Sequence, residues 1–189
     1  EHQQLLIPPP FSYPFLGLQD NTGRTQLAVP LALNNGKWSM DFVRMGDALT
    51  PHAKMVCIAN PQNPTGRCYS LAELQALAGF IEEHDLLLVS DEIHCQLILD
   101  EDKRHLPIAH AVPDIAHRTV SLFAATKTYN IPGLGCAAAI VPDAALRERF
   151  LATRGDLVPG PGPLNYIASE AAFNDRSEWV PELLTTLRR

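Results

Sequence analysis

The sequence predicts an α/β fold with a mainly parallel sheet and helices layered on both of its faces. Five short apolar runs have the length of strands, and helical patterns lie between or after them. These runs are nearly continuous in apolar character, which is typical of parallel strands buried on both faces. A chain of 189 residues that is 46% hydrophobic and 19% charged can bury one substantial core. The predicted strands are residues 5–7, 54–59, 86–90, 119–123 and 137–141.

A helix is predicted between the second and third strands. Ser70 and Glu73 have the S-x-x-E spacing of a capping box, which marks a helix start. Apolar residues then recur at helical spacing along one face. Residues 54–90 therefore predict a strand–helix–strand unit. The apolar positions are Leu71, Leu74, Leu77, Ala78 and Ile81.

Three further helices are predicted in the last third of the chain, at residues 144–153, 164–174 and 178–189. The segment 158–163, V-P-G-P-G-P, cannot continue a helix and is predicted to be a loop. The run 5–7 reads as a buried strand with no element before it, and the last helix is still running at residue 189. We therefore expect the chain to be an excerpt from a longer protein.

Composition argues against several classes of function. The formal net charge is -6, and the 15 Lys and Arg residues are scattered without a basic stripe, so we expect no nucleic-acid partner. No run of 18 apolar residues is present, and the first residues lack the basic-then-apolar order of a signal peptide. We expect a cytoplasmic protein without a membrane partner.

The cysteines and histidines do not have metal-ligand spacing. Cys57, Cys68, Cys95 and Cys136 form no C-x-x-C pair, and the seven histidines show no H-x-x-x-H pattern. Three of the cysteines lie in or beside apolar strand-like runs. We interpret them as small core residues and expect no metal site.

Three polar motifs follow predicted strands. The loop 60–66 follows the second strand, Asp91 closes the third, and Lys127 comes shortly after the fourth. In open α/β sheets, ligands bind at the carboxyl ends of the strands. The sequence therefore predicts a ligand site made by these three segments.

In this order the motifs resemble the cofactor site of fold-type I pyridoxal phosphate (PLP) enzymes, the class I/II aspartate aminotransferase superfamily. They are N-P-Q-N-P-T-G at 60–66, S-D-E-I-H at 90–94 and T-K-T-Y-N-I-P-G-L at 126–134. Within that superfamily the segments are most similar to the cystathionine β-lyase-like C-S lyase branch. The resemblance runs from Pro8 to Trp179 and covers the middle of a family member.

The resemblance implies the three-layer α/β/α large domain of a PLP-dependent transferase, in incomplete form. Residues 1–176 would be part of this PLP-binding domain, and residues 177–189 would start the helix that leads to a small C-terminal domain. An N-terminal arm, a glycine-rich phosphate loop and the small domain would be missing. The family also implies a homodimer for the full-length protein.

Lys127 and Asp91 are the residues expected to handle the cofactor chemistry. PLP enzymes need an amine that forms an imine with the cofactor aldehyde and then moves the substrate α-proton, and only lysine can do the first. The cofactor ring nitrogen stays protonated beside a buried carboxylate, the role that the resemblance gives to Asp91. Glu92 is the rival carboxylate, but it should point to the opposite side of the extended chain.

The resemblance assigns three more cofactor-binding residues. Asn63 would donate its amide N–H to the oxygen at the 3-position of the cofactor, and Asn63–Pro64 is a candidate cis bond. His94 would lie near the same oxygen, with a purely structural histidine as the alternative. Thr126 would offer its hydroxyl to the cofactor phosphate.

Three positions depart from the family pattern. Ser12 stands where an aromatic ring usually covers the cofactor, and Phe11 or Tyr13 could substitute only with a one-residue shift. Gly135 replaces the arginine with which aminotransferases grip the phosphate, and Ala124 replaces a residue that is often hydroxylated. The loss of the arginine argues against a typical aminotransferase.

The activity predicted is a PLP-dependent β-elimination on cystathionine or a related cysteine-derived amino acid. An aminotransferase is the alternative among enzymes, because it shares the first steps. A PLP-sensing aminotransferase-like domain of a transcription regulator is another alternative, which a basic domain upstream would indicate. We expect the 189-residue chain by itself to be inactive.

Overall fold

The computed structural model describes residues 3–156 and 158–189, and its main feature is a six-stranded sheet. The strand order is β2-β1-β5-β6-β7-β8, with β8 antiparallel to β7 and every other pair parallel. A separate antiparallel pair joins β3 and β4. The strands are β1 (Gln4–Ile7), β2 (Thr25–Ala28), β3 (Ala32–Asn34), β4 (Lys37–Ser39), β5 (Ala53–Ala59), β6 (Leu87–Asp91), β7 (Thr119–Ala124) and β8 (Ala137–Ile140).

Helices connect or follow these strands. Two short 3-10 helices, Pro113–Arg118 and Pro132–Leu134, flank β7 in sequence. The α-helices are α1 (Tyr13–Leu16), α2 (Leu18–Thr22), α3 (Phe42–Ala48), α4 (Leu71–Glu83), α5 (Ile108–Ala111), α6 (Ala144–Arg154), α7 (Pro163–Phe173) and α8 (Trp179–Leu187).

The five predicted strands and the mainly parallel sheet are confirmed, whereas β2, β3 and β4 were not predicted. These three strands have only three or four residues each, and their side chains are mostly half-buried or exposed. Short, mixed segments of this kind carry little periodicity from which a strand can be recognised. Helices α6, α7 and α8 lie where helices were predicted, and residues 158–162 between α6 and α7 form a loop.

The capping box at the start of α4 is confirmed. The Ser70 hydroxyl accepts a hydrogen bond from the Glu73 backbone N–H at 3.4 Å, and the Glu73 carboxylate accepts one from the Ser70 backbone N–H at 2.9 Å. Both partners thereby satisfy N–H groups that have no acceptor within the helix. The helix start is therefore fixed by two local interactions.

Helix α4 covers one face of the sheet and makes the main core. Its buried side chains Leu74, Leu77 and Ile81 are completely inaccessible to solvent. They belong to one cluster with Val56 of β5 and Leu88 of β6. Burying each leucine or isoleucine contributes about 1.5–3 kcal/mol. This packing holds the strand–helix–strand unit together.

The opposite face of the sheet is only partly covered by the described residues. A small cluster of Leu5, Ile7, Phe15 and Cys57 packs under α1 and α2. Further along, half-buried side chains of β6 and β7 line a cleft of about 710 Å³ that extends to α6. Within the described residues, the face under α4 is therefore covered as predicted, and the opposite face is covered only in part.

The four cysteines are free thiols. Cys57 and Cys68 are buried, and Cys95 and Cys136 are half-buried. Burial raises the pKa of Cys57 to about 12, so this thiol stays protonated at neutral pH. Cys57 and Cys68 thus behave as the small core residues that the sequence predicts.

Across residues 3–156 and 158–189, none of the helices combines the length and the apolar character that crossing a bilayer would require.

The first testable prediction concerns the capping box. Ser70→Ala should lower the free energy of unfolding by about 1 kcal/mol, because one N–H at the start of α4 loses its acceptor. Thermal unfolding would measure this as a decrease of about 2–4 °C in Tm. Gln75→Ala, on the exposed side of the same helix, is the control and should change stability by less than about 0.5 kcal/mol. Equal Tm values for both variants would contradict the prediction.

Candidate active site

The three predicted motif segments follow β5, β6 and β7, which are parallel neighbours with their carboxyl ends at the same edge of the sheet. β5 and β6 end level with each other, and β7 continues two residues further, to Ala124. Ala59 is paired with Asp91, and Asp91 with Leu122. Just beyond these pairs, the Asn60 N–H donates to the Asp91 carbonyl at 2.9 Å and the Glu92 N–H donates to the Leu122 carbonyl at 2.9 Å. Backbone hydrogen bonds therefore hold the first two segments to each other and to β7.

The loop 60–66 is a compact turn with two cis bonds. Asn60–Pro61 and Asn63–Pro64 are both cis, and the second confirms the sequence prediction. Inside the turn, the buried Gln62 side chain accepts a hydrogen bond from the Thr65 N–H at 2.9 Å. Gly66 has φ +73°, a left-handed conformation that favours glycine.

Asn63 lies half-buried within this turn. Its side-chain amide makes no hydrogen bond to another residue in the part of the chain that the structure describes. The amide N–H is therefore available to a ligand at the sheet edge.

Asp91 ends β6 on the half-buried face of the sheet. Its carboxylate accepts a hydrogen bond from the Ile93 N–H at 3.3 Å. Burial raises the pKa of Asp91, and the positive charges of His94 and Lys127 act against this rise. Within residues 3–156 and 158–189 it forms no ion pair. A partly desolvated carboxylate of this kind is suited to bind a cationic group.

His94 lies in the turn that follows β6 and is half-buried. Burial lowers the pKa of His94, Asp91 raises it, and Lys127 lowers it further. The neutral imidazole is therefore favoured at neutral pH. The mutual influence of these charges places His94, Asp91 and Lys127 in one electrostatic environment.

Lys127 lies in the turn after β7 and is exposed to solvent. The turn is held by hydrogen bonds from the Tyr129 N–H to the Ala125 carbonyl at 3.0 Å and from the Ile131 N–H to the Thr126 carbonyl at 3.1 Å. Thr126 itself is half-buried. An accessible amine on a hydrogen-bonded turn can reach a ligand at the sheet edge.

Glu92 points away from this site, as the alternation of side chains along an extended chain predicts. It is fully buried, and its carboxylate lies 2.7 Å from His105 Nε2 and accepts a hydrogen bond from the Ser121 hydroxyl at 3.1 Å. Sequence reasoning missed His105 and Ser121. The available signal was the carboxylate itself, since a buried acid needs a hydrogen-bonding or cationic partner.

Ser12 and its neighbours do not place an aromatic ring in an obvious stacking position. Ser12 precedes α1, and its carbonyl accepts a hydrogen bond from the Phe15 N–H at 3.1 Å. Phe11 packs on Phe15 with ring centroids 6.2 Å apart, and Tyr13 is 84% exposed. Phe11 is therefore engaged with the protein core, and Tyr13 is the ring left free.

Gly135 and Ala124 are the other two positions that depart from the family pattern. Ala124 is buried at the end of β7, and Gly135 is exposed with φ -59°. The Gly135 carbonyl accepts a hydrogen bond from the Asn165 amide at 2.8 Å. Neither residue brings a charged or hydroxyl group to the sheet edge.

Comparison with known proteins gives consistent matches along the whole chain. The family model for aminotransferase class I and II matches residues 2–189. Cystathionine beta-lyase PatB of Bacillus subtilis is 34% identical over 188 residues, which is 98% of this chain and 48% of that protein. Aminotransferases are also among the matched proteins.

Solved structures also match nearly the whole chain. The crystal structure of OvoB superposes with a TM-score of 0.94 at 36% identity and covers 99% of this chain and 49% of that one. Cystalysin from Treponema denticola, which contains a pyridoxal 5'-phosphate cofactor, superposes with a TM-score of 0.90 at 28% identity, covering 97% and 47%. The chain spans about half the length of the curated relatives it matches.

A second prediction follows from the raised pKa of Asp91. Raising the pKa in the folded state above the ordinary value of 3.8 means that protonation stabilises the fold. That stabilisation is fully present below the ordinary value and is lost as pH rises through the raised one. Asp91→Asn, with the same shape and no charge, should therefore raise the Tm of the ligand-free protein at about pH 7.

The Tm difference between Asp91→Asn and the unchanged protein should shrink as pH falls toward the ordinary value of 3.8 and below it, because the Asp91 side chain then becomes protonated and, like asparagine, uncharged. Thermal unfolding across this range measures it. Asp47→Asn, at an exposed position on α3, is the control and should show no such trend. A Tm for Asp91→Asn at or below the unchanged value at neutral pH would contradict the prediction.

Proposed function

Because the chain belongs to the aminotransferase class I and II family, we propose that it forms part of a PLP-dependent C-S lyase. The substrate would be cystathionine or a related cysteine-derived amino acid. The main support is that the segments of Asn63, Asp91 and Lys127 follow three neighbouring parallel strands at their carboxyl ends. The similarity to cystathionine beta-lyase PatB favours lyase chemistry over other reactions of the family.

The groups at the sheet edge are chemically suited to PLP. The cofactor combines an aldehyde, a ring nitrogen that carries a proton, a phenolic oxygen and a phosphate. The segments there supply an accessible amine, a hydroxyl, and a carboxylate without an ion pair and an amide N–H without an acceptor among the described residues. Lys127 would meet the aldehyde and Asp91 the ring nitrogen. Asn63 would meet the phenolic oxygen and Thr126 the phosphate.

When bound, PLP supplies an electron sink that stabilises negative charge at the substrate α-carbon. Asp91 would keep the ring nitrogen protonated through its charge, which no ion pair within the described residues neutralises. Asn63 would donate its amide N–H to the phenolic oxygen. His94 would remain a neutral imidazole beside that oxygen, consistent with its lowered pKa.

Lys127 would both anchor the cofactor and move protons. Its Nζ would take up the proton from the substrate α-carbon as a general base. A proton would then have to reach the leaving sulfur when the bond between sulfur and the β-carbon breaks. The solvent exposure of Lys127 and its place on a hydrogen-bonded turn support its role as the base.

An aminotransferase remains the second candidate, since aminotransferases are among the matched proteins. Gly135 argues against an aminotransferase, because glycine supplies no cation for the cofactor phosphate at this position. We also propose that residues 1–176 belong to the large domain, that residues 177–189 lead to a smaller one, and that the full-length protein is a homodimer. A cytoplasmic location is proposed as well, in keeping with four free thiols.

The experiment that tests the cofactor assignment is a visible absorption spectrum. The full-length protein with PLP should show an absorption band that depends on Lys127, and Lys127→Ala should abolish it. Lys37→Ala, on the separate two-stranded sheet, should keep the band. A band of unchanged position and strength in Lys127→Ala would contradict the proposal.

The reaction type is tested by product analysis. The full-length protein given cystathionine should release pyruvate and ammonia without any added 2-oxo acid. An aminotransferase would instead require the 2-oxo acid and would release no ammonia. Lys127→Ala should lower pyruvate release by at least ~100-fold, the scale of losing a general base. The 189-residue chain by itself is expected to release none.

A further inference from the structure

A group of buried polar side chains lies behind the candidate site, on the side of the sheet that α4 covers. Asn60 and Glu92 are fully inaccessible, Ser121 is 2% exposed, and the His105 side chain is 9% exposed. None of these four is among the residues proposed to bind the cofactor. Buried polar groups are costly unless they are paired, so their pairing is the first thing to establish.

Glu92 is the centre of this group. Its Oε2 lies 2.7 Å from His105 Nε2, and its Oε1 accepts a hydrogen bond from the Ser121 hydroxyl at 3.1 Å. When the Glu92 carboxylate is ionised it can only accept, and Nε2 is then the ring nitrogen that carries the hydrogen. Both carboxylate oxygens are thus used, one by a loop and one by β7.

The backbone of Glu92 strengthens the same junction. Its N–H donates to the Leu122 carbonyl of β7 at 2.9 Å, and its carbonyl accepts from the Cys95 N–H at 3.0 Å. The residue lies directly between Asp91, at the end of β6, and the turn that contains His94. Any shift of Glu92 would therefore be transmitted to both of them through the chain.

The loop that carries His105 reaches the third segment as well. The next residue, Leu106, accepts a hydrogen bond at its carbonyl from the Asn60 amide at 3.2 Å. Asn60 in turn starts the loop that contains Asn63, and its own N–H bonds to the Asp91 carbonyl. One loop thus contacts the segments of Asn63 and Asp91, and Glu92 links it to the strand that leads to Lys127.

We propose that Glu92 and His105 are positioning residues, whose buried pair holds the three cofactor-binding segments in register. This inference rests on the proposed function, because it concerns the placement of groups around PLP. Neither residue faces the candidate site, so neither acts on the substrate directly. The hydrogen bond from Ser121 is the second contact of the same carboxylate.

The sheet provides a matched control. Ser90 of β6 and Ser121 of β7 are paired in register, and both are buried. The Ser121 hydroxyl bonds to Glu92, whereas the Ser90 hydroxyl has no partner within the described parts of the chain. Removing either hydroxyl changes the core by one oxygen atom, but only Ser121→Ala disturbs Glu92.

The test measures how tightly and in what orientation the full-length protein holds PLP. Titration with PLP gives the Kd, visible circular dichroism at saturation reports the orientation of the bound cofactor, and thermal unfolding without PLP gives Tm. His105→Leu should weaken PLP binding by about 10-fold or more and change the dichroism, on the scale of other supporting residues behind a bound group. Ser121→Ala should act in the same direction with a smaller effect.

The control Ser90→Ala should leave Kd and dichroism within about twofold of the unchanged protein, since an unpaired hydroxyl is lost without penalty. His105→Gln, which keeps an N–H donor, should recover part of the affinity and keeps the test valid if His105→Leu does not fold. Wild-type Kd and dichroism in both His105→Leu and Ser121→Ala would overturn the proposal, even with a lowered Tm. An unchanged protein that binds no PLP would instead refute the proposed function itself.

Discussion

The parallel register of β5, β6 and β7 is the constraint on which the rest of the site depends. Parallel register brings Ala59, Asp91 and Leu122 side by side. The segments that follow β5 and β6 are held to their neighbours, because backbone hydrogen bonds from Asn60 and Glu92 continue just beyond the ends of these two strands. Chemistry-bearing side chains more than 60 positions apart in the chain are thereby collected at one edge.

Two adjacent carboxylates at the end of β6, those of Asp91 and Glu92, lie on opposite faces of the sheet. Asp91 faces the half-buried side and has no charged partner within the described residues. Glu92 faces the core and is bonded by His105 and Ser121. A buried carboxylate without such partners would cost several kcal/mol. The partners of Glu92 are therefore part of what allows a second acid to stand so close to Asp91.

Much of this arrangement could be predicted from the sequence, because the signals are local. The apolar runs gave five of the six strands of the main sheet, and the Ser70–Glu73 spacing gave the start of α4. The turn residues of the loop 60–66 indicated the cis bond at Asn63–Pro64. The strands β2, β3 and β4 were missed because they are short and mix polar with apolar residues, whereas the equally short β1 and β8 are nearly continuous apolar runs.

The partners of Glu92 could not be predicted for a different reason. His105 lies in the highly charged stretch 100–105, which resembles a solvated loop, and Ser121 is an ordinary strand residue. Only the tertiary fold brings them to Glu92. Long-range polar contacts of this kind have no periodic signature, so a buried acid predicts that a partner exists without identifying it.

The backbone at Gly135 has a consequence for how this site changes over evolutionary time. Its φ of -59° is open to every L-residue, and the nearest atom to an added Cβ would be the Pro132 carbonyl oxygen at 3.7 Å. Glycine is therefore not required there by geometry. Glycine and arginine codons can differ by a single base, so one mutation separates an edge without a cation at this position from one that carries it. The backbone therefore permits a position 135 with or without a side-chain cation.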